Sequence, residues 1–224
     1  MWSGIACSNL TAGASYTVTI KASVQDLGGV SMLADFVFTV DICEEGEENG
    51  YCTYTQGGYQ GNGEPGQLLI DNFTTAFPQD MFIGLQGEVH YRWTSNQAGI
   101  DALREFLAGG GPSGPIPMSQ TNPTSSGAGT LGTQTATLTL NVAFSGTEHM
   151  PAGFGDLVLH STGTSLDGAT VSAILAMANQ ALGGGSLPEG FTYSSLNDLI
   201  TNLNESFDNC TETAWAKAHL REAE

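Results

Sequence analysis

The sequence predicts an α+β fold, in which an N-terminal antiparallel β-hairpin is followed by a mixed module with several short amphipathic helices. Three observations carry this. Residues 10–22 and 36–41 alternate apolar and polar side chains at the period of a strand, whereas residues 170–182 and 194–207 repeat them at helical spacing. The chain is also 40% hydrophobic, with 3 Trp, 6 Tyr and 10 Phe, enough to build a core.

In chain order, Tyr16, Val18, Ile20 and Ala22 share one face of the first strand and Thr17, Thr19 and Lys21 the other. Beyond a Gly28-Gly29 turn, Phe36, Phe38 and Val40 alternate with Val37, Thr39 and Asp41, closing a hairpin. Pro65 suits the first turn of a helix over 66–77 that carries Leu68, Leu69, Phe73 and Phe77. Val89, Tyr91 and Trp93 alternate with His90 and Arg92 as a strand. Ser95 or Asn96 then caps a helix that buries Ile100, Leu103 and Leu107 and stops at Gly109. Residues 131–144 fit two patterns. Ala136, Leu138, Leu140, Val142 and Phe144 alternate, and the threonines agree, so the residues favour a strand, although Leu131, Leu138 and Val142 also fit a helical stripe. Thr170 caps a helix with Val171, Ile174, Leu175, Ala178 and Leu182 on one face; Ser194 or Ser195 caps another with Leu196, Leu199, Ile200, Leu203 and Phe207.

Composition excludes several functions. With 5 Lys and Arg against 23 Asp and Glu, the formal charge is -18, and the five cations are scattered. Nucleic-acid binding, which needs clustered cations to displace phosphate counterions, is not expected. Direct membrane insertion is not expected either, because no apolar run approaches the roughly 18 residues of a span. Only 12% of residues are charged, while 30 are glycine and many are Ser or Thr, a composition of secreted or cell-surface proteins. No secretion signal is visible at Met1-Trp2-Ser3-Gly4, which suggests a removed signal or a piece of a longer protein.

Four cysteines, Cys7, Cys43, Cys52 and Cys210, allow three pairings, and none has the Cys-x-x-Cys spacing of a zinc or redox site. Cys7 with Cys43 and Cys52 with Cys210 is preferred, each bond closing one module. Cys43 with Cys52 and Cys7 with Cys210 is the alternative, and four reduced cysteines are the outcome in a reducing compartment. The organisation that follows is a hairpin over 1–43, an acidic linker over 44–51, a main module over 52–210 and a tail over 211–224. Sequons stand at Asn9, Asn72, Asn204 and Asn209, against about two expected by chance in so Ser- and Thr-rich a chain.

Leu10, Gly13 and Tyr16 form a Leu-x-x-Gly-x-x-Tyr corner that resembles the entry to the penultimate strand of fibronectin type III and bacterial Ig-like domains. The earlier strands of such a sandwich are missing, so the resemblance implies a truncated domain, or a hairpin that borrows its packing surface. Further on, Cys52-Thr53-Tyr54-Thr55-Gln56-Gly57-Gly58-Tyr59, Phe77-Pro78, Ile83-Gly84, Phe106-Leu107, Leu138-Thr139-Leu140-Asn141-Val142, Phe154-Gly155-Asp156-Leu157, Ala178-Asn179-Gln180-Ala181-Leu182-Gly183-Gly184 and Leu196-Asn197 follow in an order similar to a module of large secreted bacterial proteins. Such proteins, common among Bacteroidetes, place it after Ig-like or fibronectin-like repeats. The resemblance covers about residues 52–210 and implies a place at the cell surface but no activity. A looser similarity joins it to secreted domains opening Cys-Thr-x-Thr-x-Gly-Tyr-Trp-Lys, from which this chain departs at Tyr59-Gln60-Gly61-Asn62. In those relatives the stretch ending Leu-Asn-Val looks helical, against the strand reading of 131–144.

No chemistry-bearing constellation stands out, and no cofactor is expected. His90 reads as a solvent-facing strand residue among His90, His149, His160 and His219. There is no Gly-x-Ser-x-Gly elbow, and the glycine runs lack a P-loop lysine. Glu148, His149, Asp156 and His160 match no zinc spacing, and Glu88, Asp101, Glu105, Asp156 and Asp167 read as surface acids rather than a glycosidase pair. The run over 44–48 lacks a calcium-loop pattern and reads as solvated linker. One binding platform is suggested by Tyr51, Tyr54 and Tyr59 with Gln56, Gln60 and Asn62, aromatic rings and amides able to stack on and bond to a sugar. Buried tyrosines anchoring the Cys-bounded loop account for the same residues. The expected function is a non-catalytic surface module for architecture, adhesion or display. A glycan-binding accessory module is the alternative and a hydrolytic enzyme the third reading; the expected partners are surface glycans or neighbouring domains of the same polypeptide.

Overall fold

A computed structural model describes residues 15–23, 31, 34–41, 50–145 and 150–223. The chain divides into two units, Met1–Asn49 and Gly50–Glu224, and the fold is α+β. In the first unit, β1 (Ser15–Ile20) pairs antiparallel with β2 (Phe36–Asp41) in the hairpin that the alternation predicts, and the register sets Tyr16 opposite Val40 and Ile20 opposite Phe36. Val18 and Val37, on opposite faces of this ribbon, are both exposed. The acidic run over 44–48, Cys7, Cys43 and the corner residues Leu10 and Gly13 lie outside the described residues.

The second unit opens with α1 (Gln56–Gln60) and α2 (Glu64–Ala76), the latter entered through Pro65. Strands β3 (Met81–Gly84) and β4 (His90–Trp93) are antiparallel, and β5 (Gln120–Thr121) joins β4 in parallel. Met81, Ile83, Tyr91 and Trp93 point inward from the paired strands, while His90 and Arg92 stay half-buried. Asn96 caps α3 (Gln97–Leu107) by accepting from Gly99 N at 3.1 Å. Trp93, Tyr91 and Phe106 form an edge-to-face cluster, with Trp93 and Phe106 4.8 Å apart between ring centres. The polar ends of that cluster are satisfied as buried groups require: Trp93 Nε1 donates to Pro123 O, and Tyr91 Oη accepts from Gly127 N.

Residues 131–144 form no strand; they belong to α4 (Gly129–Phe144), which packs on α1, α2, α3, β3, α5 (Val171–Leu182) and α6 (Tyr193–Glu205). This helix is the centre of the unit. Eleven of its residues are buried, on every side, so no polar stripe marks a helical period and the alternating leucines read as a strand. Three of its threonines bond back along the helix: Thr133 Oγ1 donates to Thr130 O at 3.0 Å, Thr137 Oγ1 to Thr133 O at 3.0 Å and Thr139 Oγ1 to Thr135 O at 2.8 Å, while Thr135 Oγ1 is buried with no partner among the described residues. Gly129 opens the helix at φ 63°, where a Cβ would fall 2.0 Å from Pro112 O.

Thr170 caps α5 as expected, accepting from Ala173 N. The cap of α6 is Thr192 rather than Ser194 or Ser195. Ser195 instead occupies the third helical position and bonds back to Thr192 N, closing a capping box. Residues 211–224 were expected as a tail, yet they contribute α7 (Ala214–His219), which buries Ala216, and β7 (Leu220–Arg221), which pairs antiparallel with β6 (Val158–Leu159). Among the described residues no helix is long and apolar enough to cross a membrane.

Candidate functional site

The most elaborate polar construction in the second unit begins at its first residues. Cys52 is disulfide-bonded to Cys210 across 158 residues of sequence, in agreement with the preferred pairing of these two. Cys7 and Cys43 lie outside the described residues. Next to the bond, Thr53 lies parallel to Asp208. Thr53 N donates to Phe207 O at 2.9 Å, Asn209 N donates to Thr53 O at 3.1 Å, and Thr53 Oγ1 accepts from Phe207 N. Tyr51 stacks on Phe207 at 5.2 Å and donates to Glu222 Oε1. The entry and exit of the module are thus tied together covalently, by backbone pairing and by an aromatic contact.

Beyond Thr53 the chain enters the core, where Tyr54 has no neighbouring strand. The side chain of Asn141 takes the place of one. Its Oδ1 accepts from Tyr54 N at 2.9 Å and its Nδ2 donates to Tyr54 O at 3.0 Å. The same amide accepts from Tyr59 Oη at 2.9 Å and donates to Asn204 Oδ1 at 3.0 Å, so every bonding position of Asn141 is used. Asn204 Nδ2 donates to Gln134 Oε1 and O, Gln134 Nε2 donates to Gln56 Oε1, and Gln56 Nε2 donates to Leu107 O and Gly109 O. A continuous amide chain therefore crosses from α6 through α4 and α1 to the end of α3. In a dry interior such a network is stable only when complete.

This geometry separates the six residues of the suggested sugar platform. Tyr59 is fully buried, with Tyr54 edge-on at 5.7 Å, and offers no face for a sugar to stack on. Gln56 spends both ends of its amide inside the network. Tyr51 belongs to the clasp. Gln60 and Asn62 are exposed, but their loop is latched by Arg104, whose Nη2 donates to Gln60 O, Gly61 O and Asn62 Oδ1. The reading in which tyrosines anchor the Cys-bounded loop describes Tyr51, Tyr54 and Tyr59, whose rings pack on Phe207, on each other and on Phe144, and Gln56 is held inside with them.

The remaining candidates stay apart. Glu88, Asp101, Glu105, Asp156 and Asp167 are all exposed. Asp167 accepts from Thr162 N, Thr162 Oγ1 and Gly163 N, and those bonds hold its carboxyl below the usual range. His160 Nδ1 bonds Ser161 Oγ at 2.9 Å, but Asp167 makes no bond to the imidazole that would complete a relay. Glu148 and His149 lie outside the described residues, and among the described residues no group of three metal-ligating side chains occurs. Of the sequons, Asn204 is buried within the network, Asn72 Nδ2 donates to Leu68 O inside α2, Asn209 is exposed, and Asn9 lies outside the described residues.

The amide network was not legible beforehand, because Asn141 and Tyr54 are 87 residues apart and a lone asparagine in an apolar stretch has no local signature. The one available signal was its polarity within Leu138-Thr139-Leu140-Asn141-Val142. No family model, curated protein or solved structure matches this chain.

Burial holds the Tyr59 phenol well above its ordinary pKa of 10.0, with Tyr54 adding to the effect. In the unfolded chain the phenol ionises near 10, and in the folded one it does not. Its contribution to stability is therefore intact below pH 10.0 and lost as the pH rises beyond it. Urea titrations between pH 9 and 11.5 are expected to show stability falling, with Tyr59 contributing about 1.4 kcal/mol per pH unit. Tyr59→Phe should remove that share of the slope; an unchanged slope would show that Tyr59 ionises freely in the fold.

Proposed function

We propose that this chain is a non-catalytic module of a secreted or cell-surface protein, joined to the end of an Ig-like domain and serving in surface architecture, adhesion or display. The observation that carries the reading is the Cys52–Cys210 bond. A bond of this kind persists in oxidising compartments and is rare where thiols are kept reduced. Its position suits a module strung in a longer polypeptide. Once the segment that follows Cys210 is drawn off the module, tension that arrives at Gly50 and leaves beyond Glu222 passes through the disulfide and bypasses residues 53–209. Most of the module keeps its fold while the chain around it is pulled.

Chemistry of the interior supports the same reading. Among the described residues the buried polar side chains are Thr53, Thr133, Thr135, Thr137, Asn141, Asn204 and Ser206, all uncharged. Apart from Thr135, whose hydroxyl has no partner among the described residues, they bond to other uncharged side chains and to the backbone. The carboxylates stand on the surface, where a charge of -18 solubilises the protein and keeps it from anionic partners. The β1–β2 hairpin, exposed on both faces at Val18 and Val37, suits the end of a sandwich whose other strands belong to a neighbouring segment.

The test is to label intact cells that express the full gene with a membrane-impermeant amine reagent, then alkylate the protein without reduction and count modified cysteines. Labelling from outside with Cys52 and Cys210 unmodified is expected. Labelling only after lysis, or alkylation of both cysteines, would overturn the reading.

A further inference from the structure

An open cleft of about 370 Å³ lies between α2 and Tyr54, lined by Tyr54, Glu64, Gln67, Leu68, Asp71 and Asn72. Five of these are on one face of α2, spaced at i, i+3, i+4, i+7 and i+8. The sixth is unusual. Tyr54 is 7% exposed and its hydroxyl has no hydrogen-bond partner among the described residues, whereas the fully buried Tyr59 and Tyr91 each bond through theirs. Its oxygen is open to the cleft, so it bonds to whatever occupies that space, water or a ligand.

We propose that this cleft binds a neutral, hydroxyl-rich ligand, a short segment of glycan about two sugar rings long. The lining is rich in acceptors. Glu64 has no bond to the protein among the described residues, and Asp71 accepts only from Gln67 Nε2, at 2.7 Å. Gln67 Oε1 is unused, and Asn72, whose Nδ2 is committed to Leu68 O, offers its own Oδ1. Such a set selects a ligand with many donors. The two carboxylates are seven residues apart, about 10 Å along the helix. That distance is too long for both to hold one metal ion and matches adjacent rings of an oligosaccharide.

Tyr54 decides between hydroxyls and ammonium groups. Its phenol stays protonated, because burial and the negative charges of Glu64 and Asp208 oppose ionisation, so it brings a proton that needs an acceptor. A sugar hydroxyl has lone pairs to receive it and a proton to give to the carboxylates; an ammonium group has only protons. The overall charge of -18 disfavours acidic sugars, which leaves neutral ones. This cleft shares only Tyr54 with the platform suggested by the sequence, and it uses the edge and hydroxyl of that ring rather than its face.

The test is calorimetric titration and saturation-transfer NMR of the disulfide-bonded, unglycosylated protein. The probes are neutral gluco-, manno-, xylo- and chito-oligosaccharides of two to six rings, with spermidine and calcium chloride as separate arms. At least one oligosaccharide is expected to bind, with single sugars much weaker. Tyr54→Phe, which keeps the ring and its packing, should weaken binding about tenfold, the loss of one hydrogen bond to the ligand. Glu64→Gln together with Asp71→Asn should also weaken it, while Tyr59→Phe leaves it unchanged. Thermal melts show whether each variant is folded. Absence of oligosaccharide binding at millimolar concentration, binding insensitive to Tyr54→Phe, or binding of spermidine or calcium alone would overturn the proposal.

Discussion

Replacing Cys52 and Cys210 together by alanine is expected to lower the stability of the module by about 5 kcal/mol. The bond closes a loop of 158 residues, and constraining so long a loop removes about that much free energy from the unfolded ensemble. Domains are ordinarily stable by about 5–15 kcal/mol, so the variant should stand close to its unfolding transition at room temperature. Urea unfolding followed by Trp fluorescence measures the effect, since Trp93 is fully buried. Cys7 and Cys43 are left in place, which assigns the loss to this bond. The same variant tests the mechanical role. Pulled from residues 50 and 223, the oxidised module should lengthen by no more than about 40 Å before the disulfide carries the load. The variant should release about 550 Å more, the contour of the 158-residue loop. Equal extensions, or an unchanged urea midpoint, would show that the clasp does not limit unfolding.

Asn141→Leu is expected to cost about 3–5 kcal/mol although it fills the site with an apolar side chain of similar size. Among the described residues the substitution removes the only partners of Tyr54 N and Tyr54 O and the partner of the Tyr59 hydroxyl, and it leaves Asn204 Oδ1 without a donor. A buried group stripped of its bond loses the whole cost of desolvation, whereas an intact bond contributes only its small surplus over water. Gln60→Ala, a few residues along the same segment, should change stability by no more than about 0.5 kcal/mol, because its exposed side chain makes no hydrogen bond among the described residues and Arg104 holds only its backbone carbonyl. Equal effects of the two substitutions in urea unfolding would show that the amide network is not a determinant of the fold.

The two predictions rest on different kinds of information. That Cys52 and Cys210 bracket a module was legible in the order of the cysteines, because the segment between them is punctuated throughout by turn residues and has its own apolar runs. That Asn141 holds the same module together was not. Local signals performed well where an element has two unlike faces. Ile100, Leu103 and Leu107 on α3, Val171 and Ile174 on α5, and Leu196, Leu199 and Leu203 on α6 all point inward, and Asn96 and Thr170 cap their helices as read. The cap of α6 was misplaced by two residues because Thr192, Ser194 and Ser195 are all competent; only Thr192 has extended backbone with Ser195 three residues on to return the bond.

The sequence by itself determined the α+β class, the two strands of the β1–β2 hairpin, most helix faces and a preference for Cys52 with Cys210, and its charge argues against a nucleic-acid partner. Each depends on the order of polar and apolar residues over a few positions or on charge summed over the chain, and both survive folding unchanged. Only the tertiary structure decided that 129–144 is a helix, that Tyr59 and Gln56 face inward, that residues 214–221 complete the module, and that Tyr54 lines an open cleft. A helix surrounded on all sides has no polar face to reveal its period. A tyrosine or an amide is equally suited to stack on a sugar and to bond inside a core, and its use is set by partners that lie far away in the chain, as Asn141 does from Tyr54.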